Sequence, residues 1–277
     1  MDLFKVIILA IFQGITEFLP ISSSGHLVLL QDLLGIKEGN LFIAVMLHFG
    51  TLISILIVYF KDIVGIINEF FIMIIEFLKY KKINIDNEYK MLSILIIIGS
   101  IPTGLMGIFL GDVFESFYNS TLIVGFALII TGLLLWIAEK SSSGIKNVKD
   151  MNILDALLIG IFQGLAITPG ISRSGSTIVG GLFRGLNKKL ATRFSFLLAI
   201  PAILGASLIE FYKAISVQTS VVLSNLLVPA IIGIFVSAIT GVFAIKLLIR
   251  VLEKGKLYYF SVYVWILGIM IILVENL

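Results

Sequence analysis

Ile11-Phe12-Gln13-Gly14-Ile15-Thr16-Glu17-Phe18-Leu19-Pro20-Ile21-Ser22-Ser23-Ser24-Gly25-His26 places a carboxylate, three consecutive serines and an imidazole inside an otherwise apolar N-terminal segment. Polar groups at membrane depth are costly unless paired, roughly 2.5–3.5 kcal/mol for an Asp at a helix centre, so such a cluster reads as functional. Pro20 stops the helix begun near residue 3, and a second short helix covers 24–34 before Gly35. Neither piece is long enough to cross a bilayer alone. Short apolar segments interrupted by Pro or Gly mark re-entrant helices, whose irregular backbone is tolerated only where it is buried or lines a cavity.

Composition agrees with a membrane setting. Of 277 residues, 59% are hydrophobic and 13% charged, against roughly 25% charged in soluble domains. The chain contains repeated apolar runs of membrane-crossing length. The N-terminal run has one lysine and no small-residue cleavage pattern, and is expected to be retained. With no cysteine, disulfides, thiolate metal sites and Cys nucleophiles are excluded.

Outward from the opening stretch, 41–60 reads as the first full span. Residues 62–80 set Asp62, Glu69 and Glu76 on one helical face against Ile63, Ile66, Ile67, Phe70 and Phe77, the pattern of an interfacial amphipathic helix. Spans are expected at 91–110 and 119–138, followed by a Lys/Ser/Gly-rich linker at 140–150. A second interrupted pair, 152–167 and 174–186, breaks at Thr168-Pro169-Gly170, and spans at 190–212, 222–249 and 257–275 complete the chain. The expectation is an all-α polytopic membrane protein, a single membrane domain over 1–277, with six transmembrane helices plus two re-entrant helix pairs. On this topology Lys61, Lys79–Lys90, Lys140–Lys149, Arg184–Arg193 and Lys246–Lys256 share one side, and Lys5, Lys37 and Lys213 the other. The first side is then cytoplasmic, and both termini face outward.

Without gaps, Ile11-Phe12-Gln13-Gly14 matches Ile161-Phe162-Gln163-Gly164, and Ile21-Ser22-Ser23-Ser24-Gly25 matches Ile171-Ser172-Arg173-Ser174-Gly175, an offset of 150. Two halves, 1–139 and 151–277, follow. Each holds one re-entrant pair and three spans, an odd number, so the second half starts from the opposite face: an inverted-topology repeat. The serine tips of the two halves are expected to converge near the midplane.

Both tips read as anion sites, because helix N-termini offer free N–H donors and a positive dipole end. Gln13 and Glu17 are four apart on one helix face. Arg173 is the one basic residue outside loops and their helix ends, and its fork suits phosphate oxygens. Taken singly, the serines read as N-caps, Glu17 as a structural partner of Arg173, and His48 as a core histidine within a span. Taken together, the cluster suits phosphoryl chemistry: Glu17 as base or metal ligand, Ser23 or His26 as nucleophile or proton donor, Arg173 as charge stabiliser. A carboxylate beside phosphate calls for a hard divalent cation, Mg2+ or Ca2+. A secondary transporter or lipid flippase is the alternative, since broken helices in inverted repeats are transporter architecture.

The motifs Gln13-Gly14-Ile15-Thr16-Glu17-Phe18-Leu19-Pro20, Ser22-Ser23-Ser24-Gly25-His26 and Pro169-Gly170-Ile171-Ser172-Arg173-Ser174-Gly175-Ser176-Thr177 resemble those of the bacterial undecaprenyl-diphosphate phosphatases linked to bacitracin resistance. The resemblance covers essentially the whole chain. It implies hydrolysis of undecaprenyl diphosphate to the monophosphate lipid carrier, with a divalent metal ion, in the bacterial plasma membrane and toward its outer face. Carried over residue by residue, it implies Glu17, Ser23, His26 and Arg173 as the functional set. Gln13, Ser22, Ser24, Ser172, Ser174 and Thr177 are the expected substrate contacts. The family's first motif has Glu or Gln at its first position; this chain has Gln13, leaving Glu17 as the motif's sole carboxylate. Fragments such as Ser-Gly-His also resemble phosphatidic-acid-type phosphatases, but those need a second histidine where Ser176-Thr177 stand. Expected partners are the lipid diphosphate and the membrane, with no nucleic acid and with homodimerisation left open.

Overall fold

The computed structural model describes residues 2–36, 41–82, 84–140, 144–217 and 220–275. Lys37, used above to orient the chain, and Ser141–Ser143 of the central linker lie outside them. Among the described residues the chain is helical, apart from one isolated bridge between Lys146 and Leu186. The helices are α1 (Leu3–Phe18), α2 (Ser23–Leu33), α3 (Leu41–Val58), α4 (Phe60–Tyr80), α5 (Glu88–Ser116), α6 (Thr121–Lys140), α7 (Ile153–Leu165), α8 (Arg173–Phe183), α9 (Lys188–Val217), α10 (Ser220–Glu253) and α11 (Tyr258–Glu275).

The breaks fall where the sequence places them. Asp2 caps α1, and Leu19 ends it in extended backbone just before Pro20. Asn152 opens α7 in a capping box with Asp155, and the chain turns through Gly170 in the left-handed region. Five of the helices are long and apolar enough to cross a membrane, and α3 with α4 makes a sixth candidate, bent by 84° at Tyr59. This is a polytopic all-α membrane protein. α5 runs past the expected end at 110, through Asp112 to Ser116.

The bend turns α4 away from the axis of α3, as an interfacial helix requires. Two of its three acidic residues point inward: Asp62 pairs with Arg193 of α9, and Glu76 lies 3.0 Å from Lys90 of α5. Val64, Ile67, Phe71, Ile75 and Leu78 face outward. The outer surface of the other helices is equally apolar, with Ile108 77% and Phe109 76% exposed. A soluble monomer does not carry an apolar surface so extensive; hydrocarbon is its natural surround.

Inside, Phe18, Leu92, Phe194, Phe196 and Leu198 are fully buried in the main core. α1 packs on α10 and α7 on α5, α3 lies against α9 and α10, and α6 against α11. Two glycines set the closeness of these crossings. A Cβ at Gly14 would run into Thr240 and the Ser237 carbonyl of α10, and one at Gly160 into the Gly99 carbonyl of α5. Where lipid tails are as apolar as leucine, such close backbone packing is what holds helices together. It also fixes where the ends of α1 and α7 stand, and hence both serine tips.

Candidate active site

The two tips meet. Gly25 faces Gly170, and Gly175 faces Pro20, contacts that exchange when 150 is added to or subtracted from each number. Ser174 donates to the Leu19 carbonyl at 3.1 Å, and Gly170 N–H donates to Ser24 Oγ at 3.4 Å. Each tip is built alike. Ser22 Oγ accepts from Gly25 N–H at 3.3 Å, and Ser172 Oγ from Gly175 N–H at 3.2 Å. Ser22 and Ser172 thus act as helix caps.

Between the tips sits the acid. The Glu17 carboxylate is buried; its Oε1 takes a guanidinium N–H from Arg173, while Oε2 accepts from Ser23 Oγ at 2.8 Å and from Gln13 Nε2 at 3.0 Å. Arg173 Nη1 is buried with no hydrogen-bond partner. An orphaned guanidinium N–H beside a hydroxyl already bonded to a carboxylate is a donor awaiting an anion. Ser23 and Ser24 remain partly exposed, whereas Ser172, Ser174 and Thr177 are fully buried. Thr177 is bonded to the Arg173 carbonyl at 2.8 Å. These three therefore brace the second tip in this conformation.

His26 is buried and turned away from the acid. Its Nδ1 lies 2.7 Å from the Ser22 carbonyl and its Nε2 2.7 Å from the Tyr263 hydroxyl of α11. His48, read from the sequence as a core group, lies instead in the cluster. Its Nδ1 is 3.0 Å from Gln13 Nε2 and 3.8 Å from Glu17 Oε2. The repeat held the missed signal: at the same offset Glu17 falls on Ile167 and His48 on Leu198, so both ionisable exceptions belong to the first half. Gln163, the counterpart of Gln13, donates to the Leu198 carbonyl at 3.4 Å. Tyr118, whose side chain is near that of Ser24, is a second unforeseen neighbour.

A resident divalent cation needs several oxygen ligands. Among the described residues no group of three or more His, Cys, Asp or Glu could hold one, and both Glu17 oxygens are engaged. These side chains do not fit a cation caged by protein alone.

Comparison with known proteins places this geometry. Residues 6–270 match the family described as bacitracin resistance protein BacA. The chain is 54% identical over 274 residues to an undecaprenyl-diphosphatase of Alkaliphilus metalliredigens, covering 99% of this chain and 98% of that one. It is 47% identical to an undecaprenyl-diphosphatase of Halothermothrix orenii over the full length of both. A protein of that name from Methanosphaera stadtmanae is 44% identical, with 99% of each chain covered. With the match running through both tips and nearly every helix, the chain belongs to the BacA bacitracin resistance protein family.

Proposed function

We propose that the protein hydrolyses undecaprenyl diphosphate to undecaprenyl phosphate and inorganic phosphate, so recycling the lipid carrier of cell-wall synthesis and conferring bacitracin resistance. The names of its relatives supply the substrate. One observation carries the mechanism: Ser23 donates to Glu17 beside a guanidinium that still has a free buried donor.

In this reading the terminal phosphate takes Arg173, whose Nη1 is unpartnered, and frees Glu17 Oε1. Ser23 Oγ attacks the terminal phosphorus while its proton passes to Glu17 Oε2. The phosphoanhydride P–O bond breaks, undecaprenyl phosphate leaves, and water then releases phosphate from Ser23. Arg173 stabilises the charge on the transferring group; His26, whose Nδ1–H is held by the Ser22 carbonyl and whose Nε2 is therefore basic, takes the proton of the water that releases phosphate while Glu17 returns its proton to Ser23 Oγ. Ser22, Ser24, Ser172, Ser174 and Thr177 shape the anion cradle, and Gln13 orients Glu17. A Mg2+ or Ca2+ ion would arrive with the diphosphate, held mainly by phosphate oxygens with Glu17 Oε1 as its one protein ligand once Arg173 has turned to the phosphate, and would supply charge neutralisation; no step depends on it.

The same reading takes residues 1–139 and 151–277 as inverted repeats, supported by the reciprocal tip contacts and by α1 on α10 answering α7 on α5. It puts the protein in the bacterial plasma membrane with both termini outside. The test is a rapid quench with substrate labelled in the terminal phosphate. Label should appear on the protein and vanish in Ser23→Ala; turnover without covalent label would assign the attack to water.

A further inference from the structure

The imidazole of His26 is pinned from two sides. Nδ1 lies 2.7 Å from the Ser22 backbone oxygen, and a carbonyl can only accept, so Nδ1 carries the hydrogen. In the neutral ring Nε2 is then the lone-pair nitrogen. It lies 2.7 Å from the Tyr263 hydroxyl, which must donate to it. The two rings also stack, with centroids 5.6 Å apart and planes 11° from parallel. Tyr263 comes from α11, 237 residues along the chain from His26, and no motif marks it.

We infer that Tyr263 is a positioning residue: with the Nδ1–H tautomer of His26 set by the Ser22 carbonyl, it fixes the ring plane and covers the Nε2 lone pair until substrate arrives. The chemistry behind this is general, since the bond made by one ring nitrogen decides what the other can do. The stack removes the ring's rotational freedom, and the hydroxyl supplies the direction. Its hydrogen bond and its ring stack both go to His26, so it acts through the imidazole.

This inference rests on the reading that His26 takes part in the reaction, and a double-mutant cycle separates the two. Purified wild type, Tyr263→Phe, His26→Ala and the double variant are assayed for phosphate release from farnesyl diphosphate in detergent. Tyr263→Phe keeps the stacked ring and loses only the hydroxyl. It should lower kcat by about tenfold, the worth of one hydrogen bond, with KM within about twofold of wild type. The double variant should be no slower than His26→Ala. An unchanged kcat in Tyr263→Phe alongside an impaired His26→Ala overturns the positioning role only, as does a double variant slowed again by the full Tyr263→Phe factor. A His26→Ala enzyme at wild-type rate overturns both. Should His26→Ala fail to fold, His26→Asn takes its place in the cycle.

Discussion

The guanidinium of Arg173 donates to Oε1 of Glu17, tying the start of α8 to the end of α1 across 156 residues of chain. Glu17 is buried and the Arg173 side chain is only 15% exposed, and each is the charge that lets the other stay there. Breaking such a pair leaves an uncompensated charge in low dielectric, which costs more than the pair itself contributes.

Glu17→Gln should therefore lower stability, leaving Arg173 without its counter-charge, and should leave little turnover in the folded protein, since the amide cannot take the Ser23 proton. Loss of a positioned base costs about 10² to 10⁴ in rate. Arg173→Ala should be as inactive and likewise less stable. Phosphate release read beside a thermal melt distinguishes the two effects; a Glu17→Gln enzyme within tenfold of wild type would remove the base.

The serines divide by what they touch. Ser23→Ala removes the hydroxyl bonded to Glu17 and should abolish turnover without lowering the melting temperature. Ser172→Ala removes an N-cap from a fully buried helix end and should cost about 1 kcal/mol of stability. The opposite pattern would mean that the second tip, rather than the first, holds the nucleophile.

Gln13 and His48 predict a graded loss. Gln13→Ala deletes a hydrogen bond to a charged acceptor, a term of about 1.5–3 kcal/mol, and should slow turnover by about ten- to a hundredfold. His48→Ala leaves Gln13 without its second partner and should give the smaller part of that loss. Additive losses in the double variant would show that the two do not act as one unit.

At the opposite end of α7, Asp155 is fully buried, with Arg184 Nε at 2.6 Å and Lys146 Nζ at 3.1 Å. Burial alone would push its carboxyl up, but the Asn152 N–H, Arg184 and Lys146 outweigh that and hold it below the usual Asp range. A depressed folded-state value stabilises the fold above the unfolded pKa, and the gain is lost as pH falls through the folded one. Melting temperature should thus drop below about pH 4, and Asp155→Asn should flatten that acid limb while lowering stability at neutral pH.

Local chemistry made much of this protein legible. Pro20 and Pro169-Gly170 announced the helix breaks, serines two residues past each break announced the caps, and the offset of 150 paired the tips. What escaped were contacts between distant helices. His48 lies in an apolar span with no acid nearby in sequence, and only the crossing of α3 with α1 brings it to Gln13. Tyr263 and Tyr118 carry no periodicity or motif, and each reaches its tip only through the packing of its neighbours. The inward turn of Asp62 and Glu76 was hidden for a related reason. Amphipathic spacing shows that two faces differ, but the partners Arg193 and Lys90 decide which one meets the protein.

The most direct test of the whole account is release of inorganic phosphate from undecaprenyl diphosphate by the purified protein, with Glu17→Ala and Arg173→Ala assayed beside it. Wild type should release one phosphate per lipid and leave the monophosphate, with neither variant turning over. Retained turnover in both variants, or transfer of intact lipid diphosphate across a vesicle membrane without phosphate release, would contradict it.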